Sequence, residues 1–137
     1  MARTEIDLLK RLKGQAHIAQ FIDSFEDEAS EKVYVVMNHA GDLSLGKLMK
    51  TFSVGLPPEI VRNLADQLLT AVEVMHHNNV CHRDLKPDNI LLKVDDSMPS
   101  GYYLTVVDFN VAVDLTETPE IRGATSLKKW SAPETRT

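Results

Sequence analysis

Cys81-His82-Arg83-Asp84-Leu85-Lys86-Pro87-Asp88-Asn89 is a polar, turn-rich run set between a long apolar-periodic segment that ends near Met75 and a second apolar run, Ile90 to Val94. Further on, the strand-like run YYLTVV leads straight into Asp108-Phe109-Asn110. Two carboxylates and a carboxamide at the ends of strands, beside a lysine, are hard oxygen donors next to a cation. Such a set suits a divalent metal bound to phosphate. Asx residues more commonly cap helices and form turns, so the weight rests on Asp84, Lys86, Asn89 and Asp108 occurring together.

Working outward, Ile6, Leu8, Leu9 and Leu12 fall on one helical stripe with Gly14 as a stop, which predicts a short amphipathic helix near the first residue. HIAQFIDSFED (17–27) and KVYVVMNHA (32–40) are β-branched and aromatic runs parted by an acidic, small-residue stretch, the pattern of a hairpin. After Gly41 and a short helical segment around Leu45, Leu48 and Met49, Pro57-Pro58 opens a long helix. Ile60, Val61, Leu64, Ala65, Leu68, Leu69, Val72 and Met75 keep its 3.6-residue period, and Asn78-Asn79 ends it where left-handed geometry is tolerable. NILLKV and YYLTVVDF read as two strands split by DDSMPSG, and residues 114–137 have hydroxyls and turn residues but little periodicity. The expected class is mixed α+β, and no internal repeat occurs.

Composition sets the bounds. The chain has 137 residues, 43% of them apolar, with 15 Lys and Arg against 20 Asp and Glu for a net charge of −5. One globular domain is the ceiling, and disorder or a disulfide scaffold is excluded. The basic cluster Lys10, Arg11, Lys13 lies on an ordinary amphipathic segment, so no nucleic-acid partner is expected. No apolar run is long enough to span a bilayer, and no secretory signal opens the chain, so no membrane partner is expected. With the single Cys81 unable to form an intrachain disulfide, a reducing, cytoplasmic compartment is the expectation. His76, His77, Cys81 and His82 are zinc ligands by type, but their spacing fits no usual structural zinc site.

HRDLKPDN (82–89) resembles the catalytic loop of eukaryotic protein kinases, DFN (108–110) resembles their metal-binding DFG motif, and Ala132-Pro133-Glu134 matches the APE motif closing the activation segment. H-R-D with Asn five positions after the Asp would match by chance on the order of once in a thousand, at about one in twenty per residue type. The resemblance runs from Glu5 to Glu134. It implies an incomplete two-lobe kinase fold: residues 1–40 as helix, two strands and hinge of the N-lobe, and residues 41–137 as C-lobe helices, catalytic loop and activation segment.

The roles implied are specific. Asp84 would accept the hydrogen bond of a substrate hydroxyl, Lys86 would neutralise charge on the transferred phosphoryl group, and Asn89 and Asp108 would hold Mg2+. Lysine at position 86 resembles Ser/Thr kinases, so ATP and a protein Ser/Thr hydroxyl are the implied substrates. Met37 resembles the gatekeeper, the backbones of Asn38 and Ala40 the adenine partners, Asp42 the ribose contact and Leu91 the residue beneath the adenine. Glu5 resembles the acidic residue of the regulatory helix. Leu9, Phe21, His82 and Phe109 match the family's hydrophobic column, although an ordinary core would use the apolar members identically. Arg83 would pair with a phosphate placed by an upstream kinase, with Thr116, Thr118, Thr125 and Ser126 as acceptors; a plain solvated loop explains these hydroxyls at least as well.

Three departures stand beside the match. Asn110 replaces the usual Gly and is expected to take up its positive φ. TSLKKWS (125–131) has no Thr at the spacing that would bridge Asp84 and Lys86. No glycine-rich loop or V-A-I-K strand precedes Glu5 and no helices follow APE. An incomplete ATP site and uncovered apolar surface on the long helix are therefore expected. The alternative reading is a catalytically inactive, kinase-like binding or regulatory module. A small-molecule phosphotransferase of the aminoglycoside or choline type shares a similar loop but usually lacks the R-D-L-K-P-x-N spelling and an APE-ended segment.

Overall fold

The computed structural model describes residues 2–117, 120 and 130–135. Helix α1 spans Ala2–Arg11, with Glu5 in its first turn and Lys10 and Arg11 in its last, a charge order that complements the helix dipole. Its apolar stripe closes on the interior through Leu8 and Leu9, and Leu12 beyond it is fully buried. Gly14, at φ 86°, turns the chain away.

Strands β1 (Phe21–Asp27) and β2 (Lys32–Met37) form the expected antiparallel hairpin, from Phe21 opposite Met37 to Asp27 opposite Lys32. The first strand starts at Phe21, four residues later than the apolar run suggested. His17 takes φ 64°, stacks on Tyr103 with centroids 4.5 Å apart, and places Nδ1 2.8 Å from the Leu104 carbonyl oxygen. Residues 17–19 are thereby spent on a different strand, with Val106 N–H donating to His17 O and Ala19 N–H donating to Val106 O.

After β3 (Leu43–Ser44), helix α2 (Leu45–Thr51) opens with the Ser44 hydroxyl accepting the Lys47 N–H at 3.1 Å. Helix α3 runs Pro58–His77, as the periodicity predicts, and Asn79 beyond it takes φ 57°. A two-residue strand β4 (Val80–Cys81) leads into the HRD loop. Strands β5 (Ile90–Val94) and β6 (Tyr102–Val106) pair antiparallel, with β3 on the far edge of β5. The last strand, β7 (Val113–Asp114), returns to pair with β4. Strand β6 ends at Val106, short of the expected Phe109.

One core holds these pieces together. Leu8, Leu9 and Leu12, Leu64, Ala71 and Met75 of α3, Ile90 and Leu92 of β5, Leu104 and Val106 of β6, and Phe109 are all buried in it. Gln67 of α3 is buried among them. Its Nε2 donates to Tyr102 O at 2.9 Å and its Oε1 accepts the Leu104 N–H at 2.8 Å, so one side chain replaces a missing strand partner for β6. Gly41 is needed where it stands, since a Cβ there would lie 2.3 Å from Leu92 O. Among the described residues no helix is long and apolar enough to cross a membrane.

Candidate active site

Strand β4 delivers the chain into the core at His82, and three contacts fix the loop from there. The Asp84 N–H donates to His82 Nδ1 at 3.1 Å, and His82 Nε2 lies 2.9 Å from Val107 O. Nδ1 is therefore the acceptor and Nε2 carries the proton, which defines the neutral tautomer. Burial lowers the His82 pKa below its ordinary value, and the ring packs edge-on against Phe109 at 4.9 Å. Leu9, Phe21 and Phe109 are buried in the same core, as the apolar members of any core would be.

Asp84 is buried, and its two carboxylate oxygens differ. Oδ2 accepts from Asn89 Nδ2 at 3.1 Å and lies 3.3 Å from Lys86 Nζ. Oδ1 is inaccessible and, among the described residues, has no hydrogen-bond partner. Asn89 also donates to Asp84 O at 2.9 Å. This is possible because Pro87–Asn89 forms one 3-10 turn, which brings the side chain five residues on back over the aspartate. With both N–H groups of Asn89 aimed at Asp84, the amide oxygen is the end left for a cation.

Asp108 is brought to the same place through the backbone: Val107 N–H donates to Asn89 O at 3.0 Å, and Val107 O meets His82. Asp108 takes φ 65°, a left-handed conformation that Asx side chains tolerate best among non-glycine residues. This corrects the expectation for Asn110: the positive φ of the motif falls on Asp108, and Asn110 is not among the positive-φ residues. Asn110 N–H approaches Asp108 Oδ1 at 3.4 Å. On α1, burial first, and then the Asp108 charge, raise the Glu5 pKa above its ordinary value.

The structure gathers Asp84, Lys86 and Asn89 by direct contact and ties Asp108 to them. The residues expected on the adenine side are more loosely placed. Asn38 spends its N–H on Gln20 O at 3.0 Å, which leaves its carbonyl as the backbone group for a ligand. Asp42 is almost fully exposed and pairs with His39 Nε2 at 2.9 Å. Met37 is at the exposed end of β2, and half-buried Leu91 sits between the core residues Ile90 and Leu92, opposite Ser44 and Thr105. Asn38, His39 and Ala40 line a groove with Gln20, Lys93 and Tyr103. Of the activation-segment hydroxyls, Thr116 donates to Asp114 Oδ1 at 2.6 Å, while Thr118, Thr125 and Ser126 lie outside the described residues.

A protein kinase domain model matches residues 1–136. The chain belongs to the protein kinase family. It is 34% identical over 134 residues to the phosphorylase b kinase gamma catalytic chain, liver/testis isoform, of Bos taurus, which covers 96% of this chain and 30% of that protein. It is 31% identical over 132 residues to a probable myosin light chain kinase of Dictyostelium discoideum, covering 95% of this chain and 32% of the relative. To calcium-dependent protein kinase 27 of Arabidopsis thaliana it is 29% identical over 135 residues, 96% of this chain and 27% of the relative. The chain thus spans roughly a third of the length of these kinases. Its mixed helix and strand content is that of a kinase-like fold.

Several contacts of this kinase fold had no signal in the motifs. Gln67 reads as an ordinary polar residue of a helix, and the α1 to β7 tie between Arg11 and Asp114 joins residues 103 positions apart. Gly46 has a packing reason: a Cβ there would lie 2.5 Å from Asp88 Oδ1, beside a groove also lined by Met49, Lys50, Pro87 and Trp130.

Proposed function

We propose that this chain carries the phosphoryl-transfer centre of a Ser/Thr protein kinase, moving the γ-phosphoryl group of ATP to a protein hydroxyl. The observation that carries this is the gathering of Asp84, Lys86 and Asn89: Asp84 Oδ2 accepts from Asn89 Nδ2 and lies 3.3 Å from Lys86 Nζ, with Asp108 tied to the same loop through Val107. A carboxylate oriented in this way is suited to accept the hydrogen bond of a substrate hydroxyl. As the hydroxyl oxygen bonds to the γ-phosphorus, the bond to the β,γ-bridging oxygen breaks, ADP leaves, and the hydroxyl proton passes to the Asp84 carboxylate. Lys86 is close enough to the same carboxylate to offset negative charge beside it.

The donor set fits a hard divalent cation: Asn89 has its amide oxygen left over, and Asp108 is a second oxygen donor tied to the same loop. These two residues would hold Mg2+, which when bound supplies charge neutralisation on the phosphates. Met37, Asn38, Ala40, Asp42 and Leu91 make up the adenine and ribose side of the reading. Protein substrates, an upstream kinase acting on the activation segment, and a reducing, cytoplasmic compartment belong to the same proposal.

The test is transfer of labelled phosphate from Mg-ATP to Ser- and Thr-containing peptides by these residues joined to a glycine-rich loop and lysine strand ahead of Glu5, since activity of the 137 residues alone is not expected. That protein transfers label, and Asp84→Asn in it loses activity on the order of 100- to 10,000-fold with its fold intact. Binding of Mg-ATP by it with no transfer overturns the proposal in favour of a kinase-like binding module.

A further inference from the structure

One side chain ties three separate elements together. The Arg11 guanidinium, at the last turn of α1, donates from Nη2 to Asp114 Oδ2 at 2.5 Å and from Nη1 to Asn78 O at 3.2 Å. Asp114 belongs to β7 and Asn78 closes α3. Asp114 is buried, and its other oxygen is filled by the Thr116 N–H at 2.9 Å and hydroxyl at 2.6 Å. Next to this knot, Leu115 N–H donates to Asn79 O at 2.8 Å, and Val80 and Cys81 of β4 pair with Asp114 and Val113. Cys81 is followed at once by His82, whose ring receives the Asp84 N–H. A continuous set of contacts therefore runs from α1 to the catalytic loop.

At the opposite end of α1, Glu5 carries the same sign of charge as Asp108. Leu8 and Leu9 bury the apolar face of the helix in the core, and the Arg11 fork fastens its last turn. Asp7 and Glu117 add negative charge near Arg11, so its cation is the favoured partner of this acidic corner.

We propose that Arg11 is a positioning residue: through Asp114 and Asn78 it holds α1 against the β4–β7 ribbon and so keeps the loop carrying His82 and Asp84 in order. Helix position and loop order are then one equilibrium, and whatever displaces α1 loosens Asp84. The proposal rests on Asp84 as the catalytic carboxylate, but its test needs neither nucleotide nor turnover, so the two fail separately.

Amide hydrogen exchange of the whole chain decides it. Asp114→Asn keeps the Thr116 bonds on Oδ1 and puts an amide N–H donor in place of the charged acceptor facing Arg11; Arg11→Gln removes the other partner. Each is expected to speed exchange at the Leu115 and Asp84 amides by roughly tenfold, the scale of one charge-assisted hydrogen bond, and to leave Ala71 and Met75 of α3 unchanged. Arg11→Lys retains most of the protection. Equal acceleration at all four amides would show a general loss of stability, and acceleration at Leu115 without Asp84 would show that the tie stops at β7. Either result overturns the proposal, as does Arg11→Lys exchanging as fast as Arg11→Gln. If Arg11→Gln does not fold, the near-isosteric Asp114→Asn alone decides between these outcomes.

Discussion

Asp84 Oδ2 meets Asn89 and Lys86 while Oδ1 has no hydrogen-bond partner among the described residues, and the hold on Oδ2 follows from the short spacing of D-L-K-P-D-N. Proline at position 87 starts a tight turn that folds the amide back, and a longer or straighter loop could not reach. His82 is the second informative residue. Because burial lowers its pKa, the folded chain resists protonating a ring that the unfolded chain protonates near 6.5. Its contribution to stability is therefore complete above that value and is lost as the pH falls from there towards the lower folded value. Urea unfolding of native protein and His82→Gln at about pH 8 and about pH 5 checks this: the native midpoint falls more on acidification than that of the variant. An equal fall in both would show that His82 is not the group responsible. Of these residue-scale features, identities and spacing were legible in the sequence. The unpaired oxygen was not, because it depends on what surrounds the carboxylate in space.

At the scale of elements, α1, α3 and the β5–β6 pair follow from apolar patterning because each packs an apolar face on the same core; the β1–β2 hairpin follows from its β-branched and aromatic runs, though of its residues only Phe21 is buried. The elements that were not legible are β3, β4 and β7, two residues each. Such strands have no period to read and exist only because a partner lies alongside. The same holds for His17, which reads as strand but takes φ 64° to serve β6. Gln67 gives a direct test of how β6 is held. In Gln67→Ala, the Leu104 N–H and Tyr102 O lose their partner inside the core, and stability is expected to fall by about 2–3 kcal/mol. Denaturant unfolding measures this, and a change below about 0.5 kcal/mol would mean that water or a rearranged side chain replaces the amide.

Across the whole molecule, the apolar face of α3 is only partly covered. Leu69 is 66% exposed and Val61 47% exposed, and Val61 borders a groove lined entirely by apolar residues, among them Leu45, Met49, Leu56 and Leu68. Exposed apolar area of this kind drives self-association. Val61→Gln with Leu69→Gln is expected to lower light scattering at matched concentration while shifting stability by no more than about 0.5 kcal/mol; unchanged scattering would place the sticky surface elsewhere. By itself the sequence determined the family, the order of the main elements and the residue types of the reacting loop, because these depend on composition, period and short spacing. Only the tertiary structure decided which oxygen of Asp84 is held by Asn89 and Lys86, where the left-handed turn of D-F-N falls, and that Arg11 reaches Asp114. Those features arise where chain segments distant in sequence meet, and a linear pattern holds no information on which of its polar groups will find a partner there.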